Sequence, residues 1–220
     1  KKIVIADKAA LIVNAVYHNP AEQSGVILLA ATYLFAFQIY CDFSGYSDIA
    51  IGAARCLGFD LMENFRQPYL AQSLGEFWRC WHRSLSTWFR DYLYIPLGGN
   101  RVSRGRHYAN LLIVFVVSGL WHGANWTFII WGALHGLYLV LELLLAKPGA
   151  WLVRRLHLTD WPRVLTVART LLTFHLVLLA WVFFRARSLG DALTILARIG
   201  RMFSQPWLAD LMRQPSIVGY

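Results

Sequence analysis

Charge is scarce in this chain. Only 15% of its 220 residues are Asp, Glu, Lys or Arg, against 57% that are hydrophobic. The charged share lies well below that of a soluble globular domain, and the apolar share well above it. Acidic residues are the rarer sign, 12 against 21 Lys and Arg, which leaves a formal charge of +9. Cysteine is scarce too: Cys41, Cys56 and Cys80 are odd in number and show no CxxC spacing. That pattern excludes a disulfide framework and a paired-cysteine zinc site, and leaves free buried thiols. The ~10-residue alternating segments of a membrane β-barrel are missing. An initiator Met and a signal-peptide pattern are also missing at Lys1-Lys2-Ile3. The chain therefore reads as a fragment whose first half is missing, or else as a small complete unit.

What is present is long apolar sequence. The implied class is all-α: a polytopic transmembrane helical protein with interfacial amphipathic and re-entrant helices, forming one membrane domain over 1–220. Helices satisfy their own backbone hydrogen bonds where lipid offers none. The arginines cluster beside the apolar runs, so positive-inside topology and anionic lipid headgroups explain the basic balance better than nucleic acid does. Val26–Tyr40 is apolar and stops at Asp42, with a weaker continuation through Ile49–Ala54. A bilayer core needs ~20 predominantly apolar residues, so this segment spans only if Asp42 lies at an interface or faces protein. Asp60–Gln72 is polar and carries a turn signal at Asn64–Pro68. Ser73–Tyr94 reads as one interfacial amphipathic helix (73–96 with its following turn), N-capped by Ser73 with Glu76 in capping-box register. Its aromatic side holds Trp78, Trp81, His82, Trp88 and Tyr92, and its basic side Arg79, Arg83 and Arg90.

From Tyr108 to Ala146 the only charged side chain is Glu142. As one straight helix that stretch would be about 58 Å long, nearly twice a bilayer core. It must turn back or break, and Gly119–Asn125 is the expected place. Lys147–Arg163 is a basic connection and Val164–Phe184 a further span. From Arg185 the chain is amphipathic and ends without a clear element. Basic loops at 101–107, 147–163 and 185–201 set a tension with the positive-inside rule, which a re-entrant element would relieve.

His122 stands inside this apolar sequence, in Ser118-Gly119-Leu120-Trp121-His122-Gly123-Ala124-Asn125. An ionisable residue at membrane depth is expensive and a functional candidate by default. A neutral imidazole there can take the proton of a hydroxyl as it attacks an acyl carbonyl. The plain alternative is a buried histidine bonding a neighbouring helix. The small residues 119, 123 and 124 permit close backbone approach and room for a ligand. His82, on the aromatic side of its helix, reads by itself as an interfacial residue with one wet nitrogen. His135 lies thirteen positions after His122, about 220° round a continuous helix. The two would not share a face, so no metal site is expected. Asp42, Ser44, Tyr46 and Asp48 form a polar cluster that lines a substrate path or caps a helix. Arg79, Arg83 and Arg90 suit a phosphate-bearing donor or lipid headgroups.

Several long motifs occur together and in order. They are Gln38-Ile39-Tyr40-Cys41-Asp42-Phe43-Ser44-Gly45-Tyr46-Ser47-Asp48; Glu63-Asn64-Phe65; Glu76-Phe77-Trp78-Arg79-Cys80-Trp81-His82-Arg83-Ser84-Leu85-Ser86; Trp88-Phe89-Arg90-Asp91-Tyr92-Leu93-Tyr94-Ile95-Pro96-Leu97-Gly98-Gly99-Asn100-Arg101; Ser118–Asn125; and Trp131-Gly132-Ala133-Leu134-His135-Gly136. Over roughly residues 1–145 they resemble the membrane-bound O-acyltransferase family, in particular its bacterial alginate-acetylating branch. Cys41, Cys80 and Arg83 depart from the residues that resemblance leads one to expect.

The resemblance implies the C-terminal portion of that family's fold and O-acyl transfer in the membrane. His122, within 108–146, would be the essential histidine and His82 the second. Asn125, Trp121, Asp42, Asp48 and Arg79 become candidates for substrate contact. No bound cofactor is implied. The donor would be acetyl-CoA or another acyl thioester, and the acceptor an exported polysaccharide. The implied partners are membrane lipid and a periplasmic acetyltransferase, and the implied location is the bacterial inner membrane. A transport or scaffold subunit of an acetylation complex is the alternative, and a histidine-ligated metal enzyme a weaker third.

Overall fold

The computed structural model describes residues 1–202, and among them every regular element is helical. A π-helical turn, Lys2–Ala6, leads into α1 (Asp7–His18), followed by α2 (Gly25–Cys56), α3 (Leu74–Cys80) and α4 (Arg83–Phe89). Then come α5 (Arg104–His122), α6 (Trp126–Arg155), α7 (Pro162–Arg185) and α8 (Leu189–Arg201). Helices α2, α6 and α7 are long and apolar enough to cross a membrane. The described residues form two compact units, Ser47–Ala180 on one hand and Lys1–Tyr46 with residues 181–202 on the other.

The unit holding the N-terminus packs around Val13, Leu28, Ala36, Val182 and Ile195, all buried. Tyr17 is buried among them and donates its hydroxyl to Thr32 Oγ1 (2.8 Å), which itself donates to the Leu28 carbonyl (2.7 Å). The Arg185 guanidinium lies 5.6 Å from the Tyr17 ring centroid, a cation–π contact. Helix α2 continues through Asp42, where the apolar run ends, and the Asp42 carboxylate accepts from Lys2, forty residues upstream. Ser188 caps α8, its hydroxyl accepting from the Asp191 amide at 3.1 Å. The amphipathic tail thus begins with a definite helix, while its part beyond Met202 lies outside the described residues.

The second unit is organised by the α5–α6 hairpin. The chain turns at 123–125, within the expected 119–125 break, with Asn125 as N-cap of α6. Gly119, Gly132 and Gly136 let the two backbones touch. A Cβ built on Gly132 would lie 2.1 Å from the Phe115 carbonyl oxygen, and one on Gly119 2.2 Å from that of Phe128. Gly132 and Gly136 form a GxxxG pair, the spacing that puts two small residues on one helix face in membranes. Helix α6 then runs on through Lys147 and Pro148 to Arg155, so the basic connection expected from 147 is partly helical.

The stretch 73–94 is not one helix. Ser73 does cap it, its hydroxyl accepting from Glu76 N at 3.1 Å. However, α3 ends at Cys80, and His82 takes a left-handed conformation (φ 42°) before α4 begins. The aromatic stripe is split accordingly, with Trp81 and Phe89 buried and Trp88 and Tyr92 exposed.

Glu142 explains how α3 is held. Its Oε2 accepts from the amides of Leu74 (2.8 Å) and Gly75 (3.2 Å), so the lone acid of α6 caps α3 from outside. A carboxylate there satisfies orphan amides and complements the positive end of the helix. Glu142→Ala should cost about 1–2 kcal/mol, the usual loss of a good cap, and Glu142→Gln less. Thermal unfolding in detergent reads this difference. Equal stability of all three proteins would show that the cap carries nothing.

Candidate functional site

The bend between α3 and α4 is fixed by a loop from far upstream in sequence. Arg66 N donates to the Cys80 carbonyl at 3.0 Å, and Arg83 N to the Asn64 carbonyl at 3.1 Å. Asn64 Oδ1 accepts from Ser84 N (3.1 Å) and from Ser84 Oγ (2.6 Å). Arg83 Nη1 reaches the Glu63 carbonyl at 3.2 Å, and Phe65 meets Trp81 edge-on with centroids 5.0 Å apart. These contacts hold His82, a β-carbon residue, in a backbone region that favours glycine. A non-glycine residue stays there only when its surroundings over-determine it.

His82 and His122 are thereby brought to one place. His122 is the last residue of α5, half-buried. Its ring meets Trp131 edge-on (5.0 Å, 88°) and Trp121 edge-on (4.9 Å, 83°). His82 lies 6.3 Å from the Trp121 ring, centroid to centroid. Burial pushes His82 down to about 4, and a positive charge on His122 acts in the same direction. His82 is therefore a neutral imidazole through the physiological range, able to donate one hydrogen bond and accept another.

A cavity of about 490 Å³ opens along α5, and neither histidine is among the residues that line it. Leu111, Val114, Phe115 and Ser118 line it at i, i+3, i+4 and i+7, a single helix face. Trp78, Arg79, Arg83, Ser86 and Arg90 contribute to the opposite lining. Ser118 stands one helical turn before His122, about 6 Å along the axis. Arg83 is engaged with Glu63, and Arg90 with Asp91 at 2.7 Å. Arg79 has no hydrogen bond or ion pair to another described residue, and it extends from α3 into this lining. A cavity that is apolar along its length, with guanidinium groups in its wall, suits a slender amphiphile carrying phosphate.

The other expected contacts fall differently. Asn125 Oδ1 accepts from Thr127 N at 3.0 Å, capping α6 beside His122. Asp42 pairs with Lys2 in the N-terminal unit, and Asp48 is exposed on α2. Because α5 and α6 are separate helices, the angle computed for a continuous helix does not apply to His122 and His135. Both rings pack on Trp131, at 5.0 and 5.1 Å. The described residues include no group of three His, Cys, Asp or Glu side chains placed to hold a metal ion. The sequence places Trp78 on an aromatic stripe and Trp131 in a motif without giving either a role at the site, and the capping role of Glu142 emerges only in the structure. The signal for Glu142 was its isolation as the only charge in an apolar span.

A model of the membrane-bound O-acyltransferase family matches residues 5–187. A probable alginate O-acetylase of Pseudomonas aeruginosa is 48% identical over 192 residues, 87% of this chain and 35% of that protein. That of Azotobacter vinelandii is 47% identical, covering 87% of this chain and 36% of its own length. A peptidoglycan O-acetyltransferase of Helicobacter pylori is 43% identical over 89% of this chain and 36% of that protein. The chain thus spans little more than a third of the length of these relatives.

Proposed function

We propose, from the premise that this chain belongs to the membrane-bound O-acyltransferase family, that it moves an acetyl group from an acyl thioester to a hydroxyl of an exported polysaccharide. His122 is the general base. It takes the proton of the acceptor hydroxyl while that oxygen bonds to the thioester carbonyl carbon. The C–S bond then breaks, and the leaving thiolate recovers a proton. His82, neutral and near His122, orients the acyl group through a hydrogen bond. Trp121 walls the space between the two histidines, and Asn125 holds the start of α6 beside it.

The observation that supports this reading is that both histidines meet Trp121 while the arginine-walled cavity runs along α5, the helix that ends at His122. The face of α5 that lines the cavity reaches Ser118, one turn before His122. The donor, acetyl-CoA or an equivalent phosphate-bearing thioester, lies along that face with Arg79 near its phosphate. The relatives act, by name, on alginate and peptidoglycan, and a carbohydrate hydroxyl in the envelope is the acceptor class proposed here. Asp42 and Asp48 remain candidates for acceptor contact at the polar stretch of α2. The location is the inner membrane, with a periplasmic acetyltransferase as the partner that receives or delivers the acetyl group.

Mass spectrometry of envelope polysaccharides tests the reading. Cells with the gene intact should carry ester-linked acetyl groups that are lost on deletion and restored on complementation. An unchanged acetyl content in the deletion strain would refute it.

A further inference from the structure

His135 is the one histidine of the hairpin that is fully buried. It is completely buried on α6 and ringed by Phe77, Trp78, Phe115, Trp131 and Tyr138. The Trp78 indole N–H donates to its Nδ1 at 3.3 Å. Nδ1 is therefore the unprotonated nitrogen of the neutral ring, and the proton sits on Nε2. That Nε2 is buried with no hydrogen-bond partner among the described residues. An orphaned buried donor is destabilising, and a hydrogen-bonded pair is replaced at little cost only when both partners become apolar. Phenylalanine at 135 would remove the orphaned Nε2–H but leave the Trp78 indole N–H without its acceptor. The histidine is thus kept in this cage, with one nitrogen orphaned, as the acceptor that holds Trp78.

Its contacts indicate that use. Trp78 lines the cavity along α5, and Trp131 forms the edge-on wall of His122. His135 touches both, Trp78 at 4.9 Å and Trp131 at 5.1 Å between ring centroids. We propose that His135 is a positioning residue that fixes the Trp78 indole through its Nδ1 acceptor and seats Trp131 against His122. It thereby sets the donor cavity wall and the base in mutual register. Nothing in its burial brings it to substrate, so its effect is transmitted through the two tryptophans. The inference rests on the reading of His122 as the base.

The test compares His135→Phe, His135→Asn and Trp78→Phe in the full-length protein, reading both thermal stability and steady-state acetyl transfer. His135→Phe trades the orphaned Nε2–H for an orphaned Trp78 N–H and should unfold close to the parent temperature, yet lose about 10–100-fold in kcat, since a misplacement near 1 Å can cost 10²-fold. His135→Asn, whose amide oxygen occupies the place of Nδ1, should recover most of that loss. Trp78→Phe, which removes the donated hydrogen bond from the other side, should resemble His135→Phe. The double variant should be no worse than either single one, as expected for one shared interaction. A His135→Phe protein with wild-type kcat overturns the proposal, as does additivity of the two losses. His122→Ala, run beside them, separates the two readings. If that variant is active the base assignment fails, whereas a dead His122→Ala beside a fully active His135→Phe refutes only the positioning role.

Discussion

Replacing His122 with alanine should abolish acetyl transfer while leaving the protein in the membrane and folded. The loss expected for removing a general base is about 10²–10⁴-fold in rate. The fold should survive because His122 is the final residue of α5 and is only half-buried. The hairpin is closed by glycine contacts that the substitution does not touch. Alanine is also the best helix former, so the last turn of α5 is not weakened. His82→Ala should cost less rate, since the role proposed for that residue is to orient the acyl group and not to accept the proton in transit. It should cost more stability, because His82 is the joint between α3 and α4. The measurement is transfer from a radiolabelled acetyl thioester by purified protein, paired with detergent-phase thermal unfolding. Normal transfer by His122→Ala would remove the residue from the chemistry, whatever its burial.

The parts of this molecule that were legible in sequence are those determined locally. The break at 119–125 follows from helix length against bilayer thickness, and Ser73 and its Glu76 partner announce the start of α3. The spans α6 and α7 follow from apolar composition alone. The histidine of the Trp-His-Gly sequence stands out in sequence by the cost of an ionisable group at membrane depth.

What was hidden depends on partners distant in the chain. Helix periodicity carries 73–94 straight on, but the loop at 63–66 ties Cys80, Arg83 and Ser84 from outside and bends the chain at His82. Asp42 looked like a stop because Lys2 lies forty positions away. Glu142 caps a helix 68 residues upstream, which no window could reveal. The same holds for His135. Separating it from His122 by angle assumed one continuous helix, and the turn at 123–125 instead brings both rings onto Trp131. The GxxxG spacing at Gly132 and Gly136 was on view in the sequence, and its meaning depends on a partner helix that Gly119 supplies.

The hairpin should fail most sharply at Gly132. A methyl group added there would meet the Phe115 carbonyl oxygen at 2.1 Å and its carbon at 3.0 Å, and the neighbouring Cα of Gly119 at 3.2 Å. All three atoms are backbone, so no rotamer change can relieve the contact. The helices must separate or slide instead. Overpacking a well-filled core typically costs 1–3 kcal/mol, and a clash with rigid backbone belongs at or above the top of that range. Gly132→Ala should therefore destabilise by roughly 3 kcal/mol or more, and Gly132→Leu should prevent accumulation of folded protein. Activity should fall with it, since Trp131 and His135 flank the substituted position and Trp131 walls His122. Gly149→Ala provides the internal control in the same helix, for no atom lies within 4 Å of its added methyl. There the helix-propensity gain of about 1 kcal/mol is unopposed, so that variant should be as stable as the parent or more so. The pair is read by thermal unfolding of both proteins in one detergent. If Gly132→Ala melts with Gly149→Ala, the α5–α6 backbone contact does not hold the site together. If they part in opposite directions, the close approach of Gly119 and Gly132 is what seats His122 against Trp131.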